Sequence, residues 1–397
     1  MKRLTYRHTF RAACTGYIVQ AEVNNLTPLL FIAFQNDFGL SRLQITSLIT
    51  LNFLVQLLVD LASANVVDRM GYRAAAVLSH ILAAVGLVGM GVLPYALPNA
   101  YAGLLAAVVL CALGGGMLEV IISPIVEALP SESKSSSMSL LHSFYCWGCV
   151  LVIVLSTGYF AAFGVQHWRW LPLLWALLPL GNLIFFLMVP LRSLLEEEQA
   201  PVLLRSLLKT GGFWVMLCLM LCAGASEQAM SQWASLFAET GLGVSKTLGD
   251  LLGPCLFAVL MGGGRAYFGA KDRGIPMEKL ITASGLLCIA SYLLTVFSPW
   301  PLVSLLGCGL CGLSVAIFWP GVFSLCSAAF PRGGTAMFAI LALAGDLGCS
   351  FGPGVVGWVS TAAGGALKPG LLAAVVFPLT LVAVLSLWCA RRPQRAA

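Results

Sequence analysis

The chain is written in long apolar blocks separated by short polar gaps. The blocks occupy 13–35, 45–67, 74–93, 101–128, 138–163, 171–190, 213–238, 248–268, 280–298, 302–328, 336–361 and 371–390. Crossing hydrocarbon as a helix takes about 20 consecutive apolar residues, and many of these blocks reach that length. None shows the two-residue alternation of a membrane barrel strand. Hydrocarbon offers no partner to an unpaired backbone N–H or C=O, so each block must close its hydrogen bonds within itself, as an α-helix. The pattern predicts an all-α integral membrane protein with twelve transmembrane helices.

Composition agrees. Of 397 residues, 59% are hydrophobic and only 10% charged, against about 25% charged in soluble domains. A mean hydropathy of +0.93 leaves too little polar surface to coat a soluble particle. The N-terminal MKRLTYRHTFR precedes the first block without a clear small-residue cleavage site after it, so that block reads as a retained helix and not as a signal peptide.

The basic residues fix a topology. With twelve crossings, one side receives Lys2, Arg3, Arg7, Arg11, Arg69, Arg73, Lys134, Arg192, Arg205, Lys209, Arg265, Lys271, Arg273, Lys279, Arg332, Arg391, Arg392 and Arg395. The other receives Arg42, Arg169, Lys246 and Lys368. This asymmetry makes the first side cytoplasmic, with both termini on it. The net charge of +6 is therefore a topology signal and does not point to nucleic acid. The longest polar segment, 192–212, lies midway and predicts an N-terminal six-helix bundle at 1–191, a cytoplasmic linker and a C-terminal six-helix bundle at 213–397. The halves echo each other: Gly148-Cys149 matches Gly348-Cys349, and FGLS at 38–41 matches LGVS at 242–245.

Ligand chemistry of the common kinds is not signalled. All thirteen cysteines fall inside the blocks, where cysteine serves as a small buried filler. The pairs Cys146–Cys149 and Cys308–Cys311 have CxxC spacing but sit in apolar helices, so no metal site is expected from them. The glycine triplets at 114–116 and 262–264 follow no strand and fit no phosphate-binding pattern, and no cofactor is expected. Glycine at these places permits close helix packing.

The informative residues are polar ones at bilayer depth. An acidic residue facing lipid costs about 2.5–3.5 kcal/mol on insertion scales. Glu22, Asp60, Glu119, Glu227 and Asp346 all fall within blocks and must face an interior or a watery cavity. No basic residue lies at matching depth, so ion pairing is not the expected way to neutralise them. Burial disfavours the charged form of a carboxylate, and such groups are candidates for proton exchange. Asn52, Gln56 and Asp60 share one helix face at four-residue spacing, as do Glu119, Ser123 and Glu127. Gln20, Glu22, Asn24 and Asn25 in the first block, His142, Ser143, Tyr145 and Trp147 in the fifth, and Glu227, Gln228, Ser231, Gln232 and Trp233 in the seventh complete what reads as a cavity lining. Helix-to-helix polar contacts alone remain an alternative reading of these residues.

Between the second and third blocks, Ala64-Asn65-Val66-Val67-Asp68-Arg69-Met70-Gly71-Tyr72-Arg73 resembles the major facilitator signature GxxxDRxGRR. The resemblance implies that Asp68, Arg69 and Arg73 latch a cytoplasmic gate. Within that superfamily, Asn24-Asn25-Leu26, LEVIISPIVEALPSES at 118–133 and Leu140-Leu141-His142-Ser143-Phe144 are similar to segments of the fucose permease-like sugar:proton symporters. The likeness implies that Glu119 occupies the place of that family's span-four coupling glutamate. Pro28 stands where the family has a span-one aspartate, and Ser123 replaces an asparagine. Glu22 is the acid of span one that could take the missing aspartate's part.

The expected function is proton-coupled alternating-access transport of a small polar solute, such as a sugar, in the cell membrane. Glu119 and Glu22 are the expected proton carriers. The expected solute contacts are Asn24, Asn25, Gln56, His142, Tyr145, Trp147, Glu227, Gln228, Ser231 and Trp319. The partners are then a small-molecule substrate, protons and the lipid bilayer, around a monomer. Proton-antiport efflux of drugs or metabolites and a non-transporting receptor are the alternatives. An enzyme is not expected, for want of a nucleophile–base pair or clustered ligands.

Overall fold

The computed structural model of the chain describes residues 4–130, 134–191, 207–269, 275–330 and 334–391. They form helices and connecting turns, with no β-strand among the described residues. Twelve membrane-spanning helices follow in order. The first six are α1 (Tyr6–Leu29, continued by Phe31–Phe38), α2 (Arg42–Met70), α3 (Tyr72–Ala96), α4 (Ala100–Glu127), α5 (Lys134–Phe163) and α6 (Trp170–Trp175, continued by Leu177–Met188). The second six are α7 (Gly211–Gly241), α8 (Lys246–Phe268), α9 (Met277–Phe297), α10 (Pro301–Ala329), α11 (beginning at Gly334 and ending at Ala362) and α12 (beginning at Leu367 and ending at Arg391). Eleven of them are long and apolar enough to cross a membrane on that ground alone. The exception is α1, whose hydropathy is lowered by Gln20, Glu22, Asn24 and Asn25.

Local sequence sets the helix ends. Ser41 and Gln44 form a reciprocal capping box at the start of α2: Ser41 Oγ accepts from the Gln44 N–H at 3.3 Å, and Gln44 Oε1 accepts from the Ser41 N–H at 2.9 Å. Asn99 caps α4 by accepting from the Ala102 N–H at 3.2 Å. The turn between α2 and α3 is made on Gly71 at φ +82°, a backbone state that L side chains rarely take. That glycine is the one shared with the DRxG signature. Several spans are interrupted. α1 breaks at Leu30, just after Pro28, and α6 breaks at Ala176 between Pro172 and Pro179. α8 carries a π-helical turn at Leu251–Cys255 that contains Pro254. Proline removes a backbone donor and crowds the preceding turn, which is why breaks gather there.

The chain divides into two compact units. One holds residues 1–197 and 245–251; the other holds 198–244 and 252–397. In the first unit α3 and α4 meet backbone to backbone through glycine. A methyl group on Gly114 would lie 2.6 Å from the Ala83 N, and one on Gly86 would lie 2.6 Å from the Cys111 N. In the second unit α7 and α11 meet in the same way: a methyl on Gly352 would lie 2.8 Å from the Ala225 Cα, and one on Gly348 2.9 Å from the Ala225 N. Small residues allow this approach, which lets dispersion forces act where no hydrophobic effect operates between helices.

Polar pins reinforce the first unit. The Arg73 guanidinium donates to the carbonyls of Phe186 at 2.7 Å and of Leu187 and Val189 at 2.8 Å, covering orphan acceptors at the end of α6. Asn182 Nδ2 donates to the Ala12 carbonyl at 3.0 Å and lies 2.8 Å from His80 Nε2, joining α1, α3 and α6. The Trp168 indole N–H donates to Asp37 at 2.7 Å. Residues 245–251, although they open α8, pack with this unit. Lys246 pairs with Asp250 at 3.1 Å, Thr157 on α5 donates to the same carboxylate at 3.3 Å, and the Lys246 ammonium lies 5.1 Å from the Phe160 ring centre.

Gly348→Leu should cost the folded protein at least about 1–3 kcal/mol, since the added side chain has only backbone to displace. Gly181→Leu on α6, where a methyl meets nothing within 4 Å, should leave stability within about 0.5 kcal/mol. Thermal unfolding of the two detergent-purified variants checks the contrast.

Candidate functional site

In the first unit, α1 presents Tyr17, Gln20 and Asn24 at spacings of three and four, hence on one helix face. Tyr17 and Gln20 meet α4, and Asn24 meets α2 and α5. Tyr17 shares a hydrogen bond with Ser123 on α4 at 2.9 Å, and its ring lies 5.2 Å from that of His142 on α5. Gln20 Nε2 donates to Glu119 Oε2 on α4 at 2.6 Å. Asn24 Oδ1 accepts from Gln56 at 2.8 Å and Asn52 at 3.2 Å, both on α2, and Asn24 Nδ2 donates to the Tyr145 hydroxyl on α5 at 3.4 Å. A face of α1 thus ties α2, α4 and α5 through amides, hydroxyls and one carboxylate. Gln20, Asn24, Asn52 and Gln56 are buried, whereas Glu119, Ser123 and Tyr145 are half-buried and His142 is exposed. The network runs from closed to open along its length.

Glu22 stands apart from it. Two residues from Gln20 and from Asn24, it lies on the opposite side of α1. It is fully buried, and neither of its carboxyl oxygens has a hydrogen-bond partner. The structure therefore does not bring the two acids named as proton carriers, Glu119 and Glu22, to one place.

The second unit carries a separate polar group on α7. Glu227 is buried and forms an ion pair with Arg265 on α8, Oε2 to Nη2 at 3.3 Å. Gln228 donates to Glu227 at 3.4 Å, and Gln232 donates to Gln228 at 3.0 Å. The Trp233 indole N–H donates to the Pro353 carbonyl on α11 at 3.0 Å. The pairing of Glu227 overturns the expectation that no basic residue reaches the depth of the buried acids. Arg265 sits one turn inside the C-terminal end of α8. Its long aliphatic stem lets the guanidinium travel along the helix surface to a partner well inside, so counting the depth of Cα positions misplaces its charge.

The other expected site residues are distributed as follows. Asn25 donates to the Ala21 carbonyl one turn back at 2.8 Å and to Cys149 Sγ at 3.2 Å, and so packs α1 on α5. Trp147 is 52% exposed and takes no part in the network. Ser231 ends the regular part of α7 and is half-buried. Trp319 lies against Gly345 and is 6.3 Å from the Phe323 ring. Arg73 holds the end of α6, as described above. The side chains of Asp68 and Arg69 lie outside the described residues. Two residues of these clusters are not named for the site from the sequence: Tyr17, and Arg265, which reads there only as a topology signal. The signal for Tyr17 was its three- and seven-residue spacing from Gln20 and Asn24. For Arg265 the local sequence carries none. Among the described residues no group of three or more His, Cys, Asp or Glu is placed to hold a metal ion.

Two compact helical units that span a membrane twelve times define a multi-pass membrane transporter. Residues 12–353 match the sequence profile of the Major Facilitator Superfamily, and the chain belongs to that superfamily. Solved structures with the same fold include a variant of the E. coli fucose:proton symporter FucP, at 16% identity, TM-score 0.65, with 95% of this chain and 98% of that one covered. They also include a D-xylose–proton symporter, at 14% identity and TM-score 0.76, covering 96% of this chain and 97% of that one. A third is a bacterial homologue of the human lysosomal transporter Spinster, at 15% identity and TM-score 0.81, covering 97% of both chains.

Arg265→Met should leave the Glu227 carboxyl buried without its counter-ion, at a cost of about 3–5 kcal/mol. Adding Glu227→Gln should recover most of that loss. Melting curves of the single and double variants give the comparison, and equal destabilisation in both would show that the ion pair is not what holds α7 to α8.

Proposed function

We propose that this protein is a proton-coupled transporter of a small polyhydroxylated solute, importing it across the cell membrane by alternating access, with both termini cytoplasmic. The observation that carries the reading is the α1 network. It offers hydroxyl and amide groups, each able to donate and to accept, around Glu119, a half-buried carboxylate at bilayer depth. A sugar-like solute needs that mixture of donors and acceptors. The solute's hydroxyls exchange places with partners the network already has, so few buried polar groups are left unmet when the solute departs.

Coupling follows from the carboxylate. Glu119 is an acceptor only when charged and gains a donor when protonated, so the solute meets a different hydrogen-bond pattern in each state. A proton gradient biases the cycle through that difference in affinity, and the coupling is reciprocal: solute binding alters proton affinity by the same factor. The proton–sugar symporters FucP and D-xylose symporter, which share the fold, support the reading by analogy alone.

The test is uptake of radiolabelled monosaccharides into proteoliposomes under an imposed proton gradient. Glu119→Gln should abolish concentrative uptake while leaving exchange of internal for external solute within a few-fold of the parent. Concentrative, pH-driven uptake by Glu119→Gln would remove Glu119 from the mechanism. A purified protein that moves no monosaccharide in either mode would remove the solute class.

A further inference from the structure

The amide of Gln20 is used on one side only. Its Nε2 donates to Glu119 Oε2 at 2.6 Å, the short distance of a charge-assisted bond. Its Oε1 is buried and accepts no hydrogen bond from any described group, in a side chain only 3% exposed. A buried amide oxygen without a donor is destabilising, and the structure retains that arrangement beside a titratable carboxylate.

The chemistry of the pair gives the orphan oxygen a purpose. A charged carboxylate only accepts, so it requires the NH2 end of the amide. A protonated carboxyl keeps an acceptor oxygen but adds one O–H donor, which only the oxygen end of the amide can accept. The terminal torsion of glutamine is broad and roughly two-fold, so one rotation exchanges the two ends without moving the backbone. An amide side chain can therefore meet both forms of a carboxyl group.

We propose that Gln20 is a positioning residue for the proton on Glu119: its amide donates through Nε2 to the charged carboxylate and turns over to accept through Oε1 when the carboxylate binds a proton. The proposal rests on the reading of Glu119 as the proton site. The proton arrives from water and resides on a Glu119 oxygen, and no other bond is made or broken. Gln20 lies between Tyr17 and Asn24 on one face of α1, so the rotation occurs between the two hydrogen-bonded groups that contact α4, α2 and α5. The titratable groups gathered there are Tyr17 on α1, Glu119 on α4, and His142 and Tyr145 on α5. Glu22 on the far face of α1 is not among them.

Infrared difference spectroscopy of the reconstituted full-length protein between acid and alkaline pH tests this without a solute. The Glu119 carboxyl band is identified by its loss in Glu119→Gln. With side-chain 15N-glutamine, the parent protein should show an isotope-sensitive amide change at the same midpoint as that band. Gln20→Leu should abolish the amide change and move the carboxyl midpoint by about one pH unit, tenfold in proton affinity, while Gln56→Leu should leave the amide change in place. A parent protein with a Glu119 band and no accompanying amide change overturns the role of Gln20, even if Gln20→Leu fails to fold. An unmoved midpoint in a folded Gln20→Leu does the same. If the parent shows no Glu119 band, the proton role of Glu119 itself fails, and the two failures are thereby told apart.

Discussion

Hydrocarbon contains nothing that can hydrogen-bond, and this one property of the solvent shapes the whole molecule. It forces every span to close its backbone bonds as helix, and it removes the hydrophobic effect as a reason for one helix to seek another. What remains is contact and internal polarity. The α3–α4 and α7–α11 crossings supply the first, with glycines letting backbone lie on backbone. The α1 network supplies the second. A polar side chain that cannot reach water must find another polar side chain: Tyr17 and Gln20 find theirs on α4, and Asn24 finds its own on α2 and α5.

The same constraint explains why so much of the fold could be read from the sequence. Apolar runs need no tertiary context to be recognised, and apart from α1, which begins at Tyr6 and not near 13, the observed helices begin and end within a few residues of the blocks. The interruptions were less legible. Pro28, Pro254 and the pair Pro172 and Pro179 mark three of them, but α10 is also interrupted at Ala316–Ile317, between the segments Pro301–Val315 and Phe318–Ala329, with no proline at the break. α1 is the instructive exception. It is the least apolar of the twelve because it carries the network, so the feature that weakens it as a hydrophobic segment is the one on which the proposed function rests.

The site was legible by type and less so by partner. Glu119, Gln56, Asn24, Tyr145 and His142 come together around one face of α1, and helical spacing can report which residues share a face. Which face of α1 carries the chemistry was not legible, since Glu22 and Gln20 differ by only two positions yet look in opposite directions. Trp147 was attractive as an aromatic beside the network, but it is exposed and takes no part in it. Arg265 shows the limit of reading depth from Cα position. Arginine brings its charge several ångströms from its backbone, and only the folded helix pair reveals where that charge comes to rest.

The glycine seams also say where this fold is free to drift. Positions that face lipid need only stay apolar, and many residues satisfy that demand equally. A seam position such as Gly114 or Gly348 admits one residue, because a single added carbon would occupy space already taken by a neighbouring main chain. Divergence should therefore be uneven, with wide substitution on the outer surfaces and near-fixed composition along two narrow lines through the interior. A chain built this way can keep its architecture at the 14–16% identity it shares with other solved members of the fold, because the information that specifies the packing is carried by few positions.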